Sequence, residues 1–437
     1  MKSGRNVFLT GEAGSGKTYV VNQYLEWLRH EGRGFAVTAS TGIASTHVGG
    51  STIHSWSGLG IHKNATDDWA DKKLVNDTYL TRRLQGVDVL IIDEVSMIDA
   101  QFMDDLETML RRARPMRSGG VFKIEFGKDP YMAWGGVQII FVGDFFQLPP
   151  VVKDQAMRFA FESEAWKKAD PAVCYLTEQY RQSDPEFYEI LTAIRHSKIT
   201  DVHRDRLYAC TQGDQIPQTR LFTHNLDVDR INEEELDKLP GEVHTFEMEE
   251  EGMQASEKAN EYLLGMLKRG CLSPQKLRLK VGARVMFTRN KYNEDKEQLW
   301  VNGTLGTVIE FDEDNGRPVV ETIDGDIHVP DKEKWEYSEN DVVKARIHQI
   351  PLKLAYAVTV HKSQGMTLDE ALIDLSRAFE YGQGYVALSR VKSLSGLFIE
   401  GRLTSKAFAM HPRVVEADKM FREESEKLCK SNEQTIE

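Results

Sequence analysis

Short apolar runs alternate with stretches of helical spacing through the N-terminal part of the chain. Val7-Phe8-Leu9-Thr10 reads as a short buried strand, and Tyr19 to Arg29 as a helix with Val20, Val21, Tyr24, Leu25 and Leu28 at helical spacing. Gly34 to Ala39 reads as a second strand. It runs into a polar loop, Ser40 to Ser45, followed by a turn-rich segment from Gly49 to Trp56. Residues 58–84 are polar and lysine-containing with little strand pattern, which marks a small insertion between sheet elements. Val87 to Ile92 and Val137 to Val142 read as apolar strands buried on both faces, closing in Asp93-Glu94 and Gly143-Asp144. This order predicts an α/β fold with a parallel sheet whose ligands sit at the carboxyl ends of the strands.

The pattern then restarts. Val173 to Leu176 and Leu221-Phe222-Thr223 read as strands of a second sheet, with Pro185 to Arg195 as a helix. Residues 281–330 change character. Val285-Met286-Phe287, Gly306 to Ile309, Val319 to Thr322 and Asp326 to Val329 are short, β-rich and separated by Gly, Asn and Asp. They predict a small all-β module, a barrel, inserted into the second α/β domain. The α/β pattern resumes at Leu352 and runs to about Ile399, and the tail from Arg413 is charged and helical. The expected division is a first domain of residues 1–57 and 85–165 interrupted by 58–84. A second domain of 166–270 and 350–410 is interrupted by 271–349, and a tail of 411–437 follows.

Composition narrows the classes. A chain of 437 residues suits several domains, and 41% hydrophobic with 28% charged residues is ordinary for a soluble globular protein. No apolar run approaches the ~20 residues that cross a bilayer, so no membrane partner is expected. The chain enters a core strand almost at once, which implies cytoplasmic residence, or nuclear or mitochondrial residence in a eukaryote. Cys174, Cys210, Cys271 and Cys429 are far apart in sequence, as idle thiols of a reducing compartment would be. The formal net charge of −13 argues against a broad basic footprint. Any nucleic acid must be held in a local channel by backbone N–H groups, hydroxyls, aromatics and a few cations.

Gly11-Glu12-Ala13-Gly14-Ser15-Gly16-Lys17-Thr18 carries the chemistry, between a strand and a helix. Gly14 and Gly16 let backbone approach phosphates, and the N–H groups at the helix start face the anion. Lys17 reaches the β- and γ-phosphates, and Thr18 ligates Mg²⁺. Asp93 suits the same metal, and Glu94 suits orienting and deprotonating an attacking water. No Asn-Lys-x-Asp stretch of the kind that selects guanine is present, which favours ATP as the expected nucleotide. Gln147, in Gly143-Asp144-Phe145-Phe146-Gln147-Leu148-Pro149-Pro150, reads as a γ-phosphate sensor on a shaped loop, against the plainer alternative of a solvent-facing glutamine. Arg181 and Arg390 suit the charge of a transferring phosphoryl group, and residue chemistry alone leaves them equally readable as solvated surface arginines.

The segments GEAGSGKT, TASTGIAS, GGSTIHSW, IIDEVSMID, GGVQIIFVGDFFQLPPV, LTEQYRQSDPEF, LKLAYAVTVHKSQGMTLD and YVALSRVKSLSGL follow in that order from Val7 to about Gly401. In this the chain resembles superfamily-one helicases, and in detail the Pif-one family of 5′-to-3′ DNA helicases. The resemblance implies two RecA-like domains with ATP in the cleft between them. It also implies a small wedge insertion in the first and a Src-homology-three-like barrel in the second. Carried over by motif, Lys17, Thr18, Asp93, Glu94 and Gln147 act from the first domain, Arg181 and Arg390 from the second, with Gly365 near the nucleotide. Single-stranded DNA is implied to touch Thr41 and His54 on the first domain, and Thr223, Thr359, His361 and Lys362 on the second. A lone histidine such as His54 or His361 has the plainer reading of a packed structural residue. The family further implies a monomer acting on tailed duplexes, G-quadruplexes and RNA–DNA hybrids in DNA repair, recombination and telomere maintenance. Two departures stand out: the family's glutamine-bearing adenine segment has no counterpart before the first strand, and Pro115 to Trp134 is a long insertion. Arg111, Arg112, Arg114 and Arg117 near it read as a solvated basic face or as DNA contacts. A translocase that does not part strands, and a binding module with an ATPase switch, are the rival readings.

Overall fold

The computed structural model describes residues 1–40, 51–60, 64–114, 132–150, 157–181, 184–210, 219–222, 228–254, 256–292, 298–339, 342–360, 363, 366–376, 378, 380–401 and 403–436. The chain divides into two units, Met1–Gln179 with Pro412–Glu437, and Tyr180–His411.

Alternation along one strand sets the layers of the first unit. All of Val7–Gly11 is buried. Val7 and Leu9 pack with Val21, Tyr24, Leu25 and Leu28 of the helix Lys17–His30. Phe8 belongs to the other face, its ring centroid 5.4, 5.1 and 5.1 Å from those of Phe145, Trp166 and Phe421. With apolar packing on both faces the neighbouring strands can be apolar throughout. They form a parallel sheet in the order Ser51–Thr52, Phe35–Ala39, Val89–Asp93, Gln138–Val142, Val7–Gly11, Ala172–Leu176. Buried polar side chains on these strands include Thr10, Thr38 and Gln138. Gln138 is buried and fully engaged, donating to the carbonyls of Met1 and Arg5 and accepting from the Tyr24 hydroxyl.

Several expectations need correction. The run expected from Val87 becomes a strand only at Val89, because Asp88 interrupts it and its carboxylate accepts from the Gly34 N–H at 3.2 Å. Val173 to Leu176, expected in a second sheet, pairs in parallel with Val7–Gly11 and is the edge strand of the first. The first unit therefore runs to Gln179, past the boundary expected at 165. It also takes back the tail, since the helix Pro412–Ile436 lies against this edge strand. The turn-rich segment before Trp56 holds a two-residue strand, Ser51–Thr52, and a helical turn, Ile53–Trp56.

The expected insertion 58–84 holds the helix Asp67–Asn76 and all but the last residue of the helix Thr78–Gln85, whose first turns are capped by the side chains of Thr66 and Asp77. Arg111 and Arg112 of the helix Ala100–Ala113 pair with Asp67 and Asp71 of the first of these. Arg114 donates to the carbonyls of Val87 and Gly135 at 2.8 and 3.1 Å. These three arginines stitch the unit together and are not a solvated face. Arg117 and the rest of 115–131 lie outside the described residues.

The second unit has a four-stranded parallel sheet, ordered Ala357–Thr359, Arg220–Phe222, Ala371–Asp374, Leu397–Glu400. Asp184 caps the helix Pro185–Arg195, with proline at its first position, where a missing N–H costs nothing. The β-rich module is antiparallel and larger than expected. Its main sheet is ordered Ile327–His328, Pro318–Thr322, Leu305–Phe311, Arg284–Phe287, Leu352–Leu354, around Val285, Phe287, Trp300, Val308 and Val320. A second sheet, Glu333–Glu339, Val342–Gln349 and Glu249–Gly252, packs Trp335, Ala345 and Ile347 on Leu263 and Leu267 of the helix Glu257–Gly270. All four cysteines are free thiols. Among the described residues no helix is long and apolar enough to cross a membrane.

Candidate nucleotide site and nucleic-acid contacts

Backbone conformation, more than side chains, builds the loop after the first strand. Gly11 has φ +151°, and a Cβ there would lie 2.6 Å from the Leu176 carbonyl oxygen of the neighbouring strand. Gly16 caps the helix Lys17–His30 in the left-handed region, φ +85°, and no side chain caps the first N–H groups of that helix. Gly14 is left-handed too, at φ +88°. The loop carbonyls turn inward. Lys17 Nζ donates to Gly11 O at 2.9 Å and Glu12 O at 2.8 Å, and Ser15 N to Glu12 O at 3.2 Å. The buried Ser15 hydroxyl has no protein partner. An orphan hydroxyl beside an uncapped helix start fits a phosphate, which supplies acceptor oxygens to both.

The acidic pair closes the strand Val89–Asp93, two places away from Val7–Gly11 in the same sheet. Burial pushes the Asp93 carboxyl up to about 7, the Glu94 charge adds to this, and the Glu94 N–H, donating to Asp93 Oδ1 at 2.8 Å, and the Lys17 ammonium oppose it. A carboxylate so placed is short of positive charge, the setting a divalent cation relieves. Glu94 is held left-handed at φ 52°, a conformation that costs a non-glycine residue energy and turns its side chain away from the strand direction. Gly143, on the adjoining strand end, makes room for this turn, since a Cβ on it would sit 3.0 Å from Val95 N. Among the described residues no group of three His, Cys, Asp or Glu side chains gathers as a metal cage. Mg²⁺ does not need one. It binds through one or two protein oxygens plus water and phosphate, which Thr18 and Asp93 can supply.

Gln147 is buried, on a loop held by the buried Asp144. Asp144 accepts from Phe146 N through its side chain at 3.1 Å and from Gln147 N through its carbonyl at 2.9 Å. Phe145, Phe146 and Leu148 are buried with it, so this is a shaped loop and Gln147 does not face open solvent.

In the second unit, Arg181 and Arg390 meet at one residue. Arg181 Nη1 donates to Ser389 O at 3.3 Å. Arg390 is almost wholly buried, with Nη2 donating to Ser389 Oγ at 3.0 Å and Nε to Val386 O at 3.0 Å. Neither is a solvated surface arginine. Their common anchor ends the helix Gln383–Leu388.

The expected nucleic-acid contacts fare differently. Thr41, Thr223, His361 and Lys362 lie outside the described residues, as does Gly365. His54 packs on Phe102 with centroids 4.2 Å apart and the rings tilted by 39°, and burial lowers its pKa, with Asp99 opposing. Thr359 is buried, and its carbonyl accepts from Ser363 N at 2.9 Å in the turn that follows its strand. Both described members of the set therefore help to hold their own loops. The sequence reading missed Gln179, whose Nε2 donates to Ala13 O at 2.7 Å. No spacing rule links residues 166 apart.

A glycine-rich loop, an uncapped helix start and an acidic strand end on one parallel sheet define a P-loop nucleotide hydrolase. The model of the PIF1-like helicase family matches residues 1–205, and that of the DNA helicase Pif1 2B domain matches residues 262–311. An ATP-dependent DNA helicase Pif1 of Psychrobacter sp. (strain PRwf-1) is 37% identical over 97% of this chain and 70% of its own length. An ATP-dependent DNA helicase PIF1 of Xenopus laevis is 37% identical over 95% of this chain, which spans 61% of that relative. The crystal structure of Bacteroides sp Pif1 in complex with ADP-AlF4 superposes with a TM-score of 0.75 at 28% identity, covering 96% of this chain and 94% of the other. The chain belongs to the PIF1-like helicase family.

Proposed function

We propose that this chain is an ATP-dependent DNA helicase that moves 5′ to 3′ along a single strand and parts the duplex ahead of it. One observation carries the reading. Lys17, Asp93 and Glu94 gather at the carboxyl ends of strands in one sheet, with the Lys17 charge felt by Asp93, in a chain whose relatives are ATP-dependent DNA helicases.

In this reading Lys17 leaves the carbonyls of Gly11 and Glu12 for the β- and γ-phosphates, which Gly11, Gly14, Ser15 and Gly16 surround with backbone N–H groups and a hydroxyl. Thr18 and Asp93 hold Mg²⁺, which when bound offsets phosphate charge. Glu94 orients the attacking water and takes its proton, and Gln147 senses the γ-phosphate. Arg181 and Arg390 supply positive charge to the phosphoryl group in transfer, and Gly365 lies near the nucleotide. Thr41, His54, Thr223, Thr359, His361 and Lys362 position the DNA backbone without reading sequence. The helices of 58–84 serve as the wedge, and the antiparallel module as the Src-homology-three-like barrel. The protein works as a monomer in a reducing compartment, with G-quadruplexes and RNA–DNA hybrids among its substrates.

The test uses forked duplexes with a single 5′ or 3′ tail, with ATP and Mg²⁺. Unwinding is expected with the 5′ tail alone. Equal unwinding of both removes the polarity, and ATP hydrolysis without strand separation on either leaves a translocase.

A further inference from the structure

We infer that Gln179 is a positioning residue for ATP hydrolysis, tying the segment that carries Arg181 to the backbone of the phosphate loop. The inference rests on the reading of Arg181 given above. Three observations lead to it. The strand Ala172–Leu176 pairs with Val7–Gly11 along its whole length, the last partners being Leu176 and Gly11. The Leu176 carbonyl also occupies the space that a side chain on Gly11 would need. The exit of the edge strand is thus packed against the first residue of the loop.

Three residues on, Gln179 Nε2 donates to Ala13 O at 2.7 Å. Lys17 Nζ and Ser15 N engage the carbonyls of Gly11 and Glu12. The carbonyls of residues 11, 12 and 13 are therefore all turned to donors of the unit, and Gln179 alone among these donors lies outside the loop. A peptide plane has its N–H opposite its C=O. Holding the Ala13 carbonyl therefore orients the Gly14 N–H, one of the groups that meets phosphate in such a loop.

The chain passes from the first unit to the second after Gln179. Two residues later Arg181 donates to Ser389 O, the residue whose hydroxyl also receives Arg390. The glutamine is fixed to the loop two residues before Arg181. It sets where the segment that crosses to the second unit starts. Misplacing a catalytic cation by about 1 Å can cost on the order of 10²-fold in rate.

The test compares Gln179→Ala, Gln179→Glu, Arg181→Ala and Gln179→Ala/Arg181→Ala in the full chain, by DNA-stimulated ATPase kinetics. Tyr175→Phe is the control, because it loosens the same edge strand without touching the loop. Gln179→Ala should lower kcat about tenfold with KM for ATP within about twofold. Gln179→Glu keeps the size but faces the Ala13 carbonyl with an acceptor, and should fall at least as far. In the Arg181→Ala background Gln179→Ala should lower kcat by less than it does alone, and Tyr175→Phe should leave kcat unchanged. A normal rate in Gln179→Glu, or losses that multiply in the double variant, would overturn the inference while leaving Arg181 in place. A normal rate in Arg181→Ala itself would overturn the arginine assignment, and this inference with it.

Discussion

Two strands of the first sheet end at the nucleotide site, and they are held there by different physics. Val89–Asp93 lies in the middle of the sheet, paired on both sides, with Val89 to Ile92 wholly buried. Ala172–Leu176 lies at the edge, paired on one side only, and only Val173 is fully buried. Its cover is the helix Pro412–Ile436, which packs Phe421 against Phe8 and meets this strand itself through directional bonds. Tyr175 N donates to Ser425 Oγ at 3.1 Å, the Tyr175 hydroxyl donates to Asp418 Oδ1 at 2.9 Å, and Arg422 Nη2 donates to that hydroxyl at 2.7 Å. The Arg422 guanidinium also lies 4.2 Å over the Tyr175 ring. Desolvation fixes the first strand whatever its partners; the second depends on a helix some 240 residues further on, joined by Tyr175–Asp418, a separation of 243 residues. A centre set by burial resists change at any single polar group, whereas an edge set by bonds can be loosened one bond at a time.

The largest effect is expected where burial rules. Phe8→Ala removes a ring packed among Phe145, Trp166 and Phe421 and should cost the first unit about 3–5 kcal/mol in urea unfolding. A loss below about 1 kcal/mol would mean that this face is not a close-packed core. Tyr175→Phe keeps the ring and removes the hydroxyl bonds to Asp418 and Arg422. It should cost about 1–2 kcal/mol and raise amide exchange in Ala172–Leu176 while leaving Val89–Asp93 protected. Equal exchange in both strands would erase the contrast between them.

The smallest effect concerns a polar group held by burial. His54 packs on Phe102 with its pKa lowered from 6.5. Below that ordinary value the unfolded chain binds a proton that the folded one resists, so stability falls as pH falls. One proton limits the slope to about 1.4 kcal/mol per pH unit. His54→Gln should flatten the stability profile between pH 7 and 5, and an unchanged slope would show that His54 titrates as in water.

The same contrast explains what the sequence disclosed. The run to Ile92, the loop from Gly11 to Thr18 and the helix Pro185–Arg195 are local signals, in apolar periodicity, glycine spacing and an Asp-Pro cap. Sheet membership of Ala172–Leu176 is not local, because its partner precedes it by more than 160 residues. Glu333–Glu339 and Val342–Gln349 carried a readable signal that went unused, with Trp335 and Tyr337, and Ala345 and Ile347, alternating with polar residues. Glu249–Gly252 offered none. It is exposed throughout and is a strand through antiparallel pairing with Val342–Gln349, with Arg346 and His348 opposite Glu251 and Glu249. At the site, the acids and the lysine were legible as a motif. The left-handed backbone of Glu94, the meeting of Arg181 and Arg390 at Ser389, and the bond from Gln179 to Ala13 required coordinates.

The central claim is that hydrolysis at the acidic strand end drives strand separation. Its most direct measurement follows ATP binding, ATP hydrolysis and unwinding of a 5′-tailed fork by the wild type and by Glu94→Gln. The account predicts that the variant binds ATP as the wild type does, yet hydrolyses it at least about 10²-fold more slowly, the scale of a lost general base, and leaves the fork closed. A variant that still hydrolysed ATP or opened the fork at the wild-type rate would contradict it.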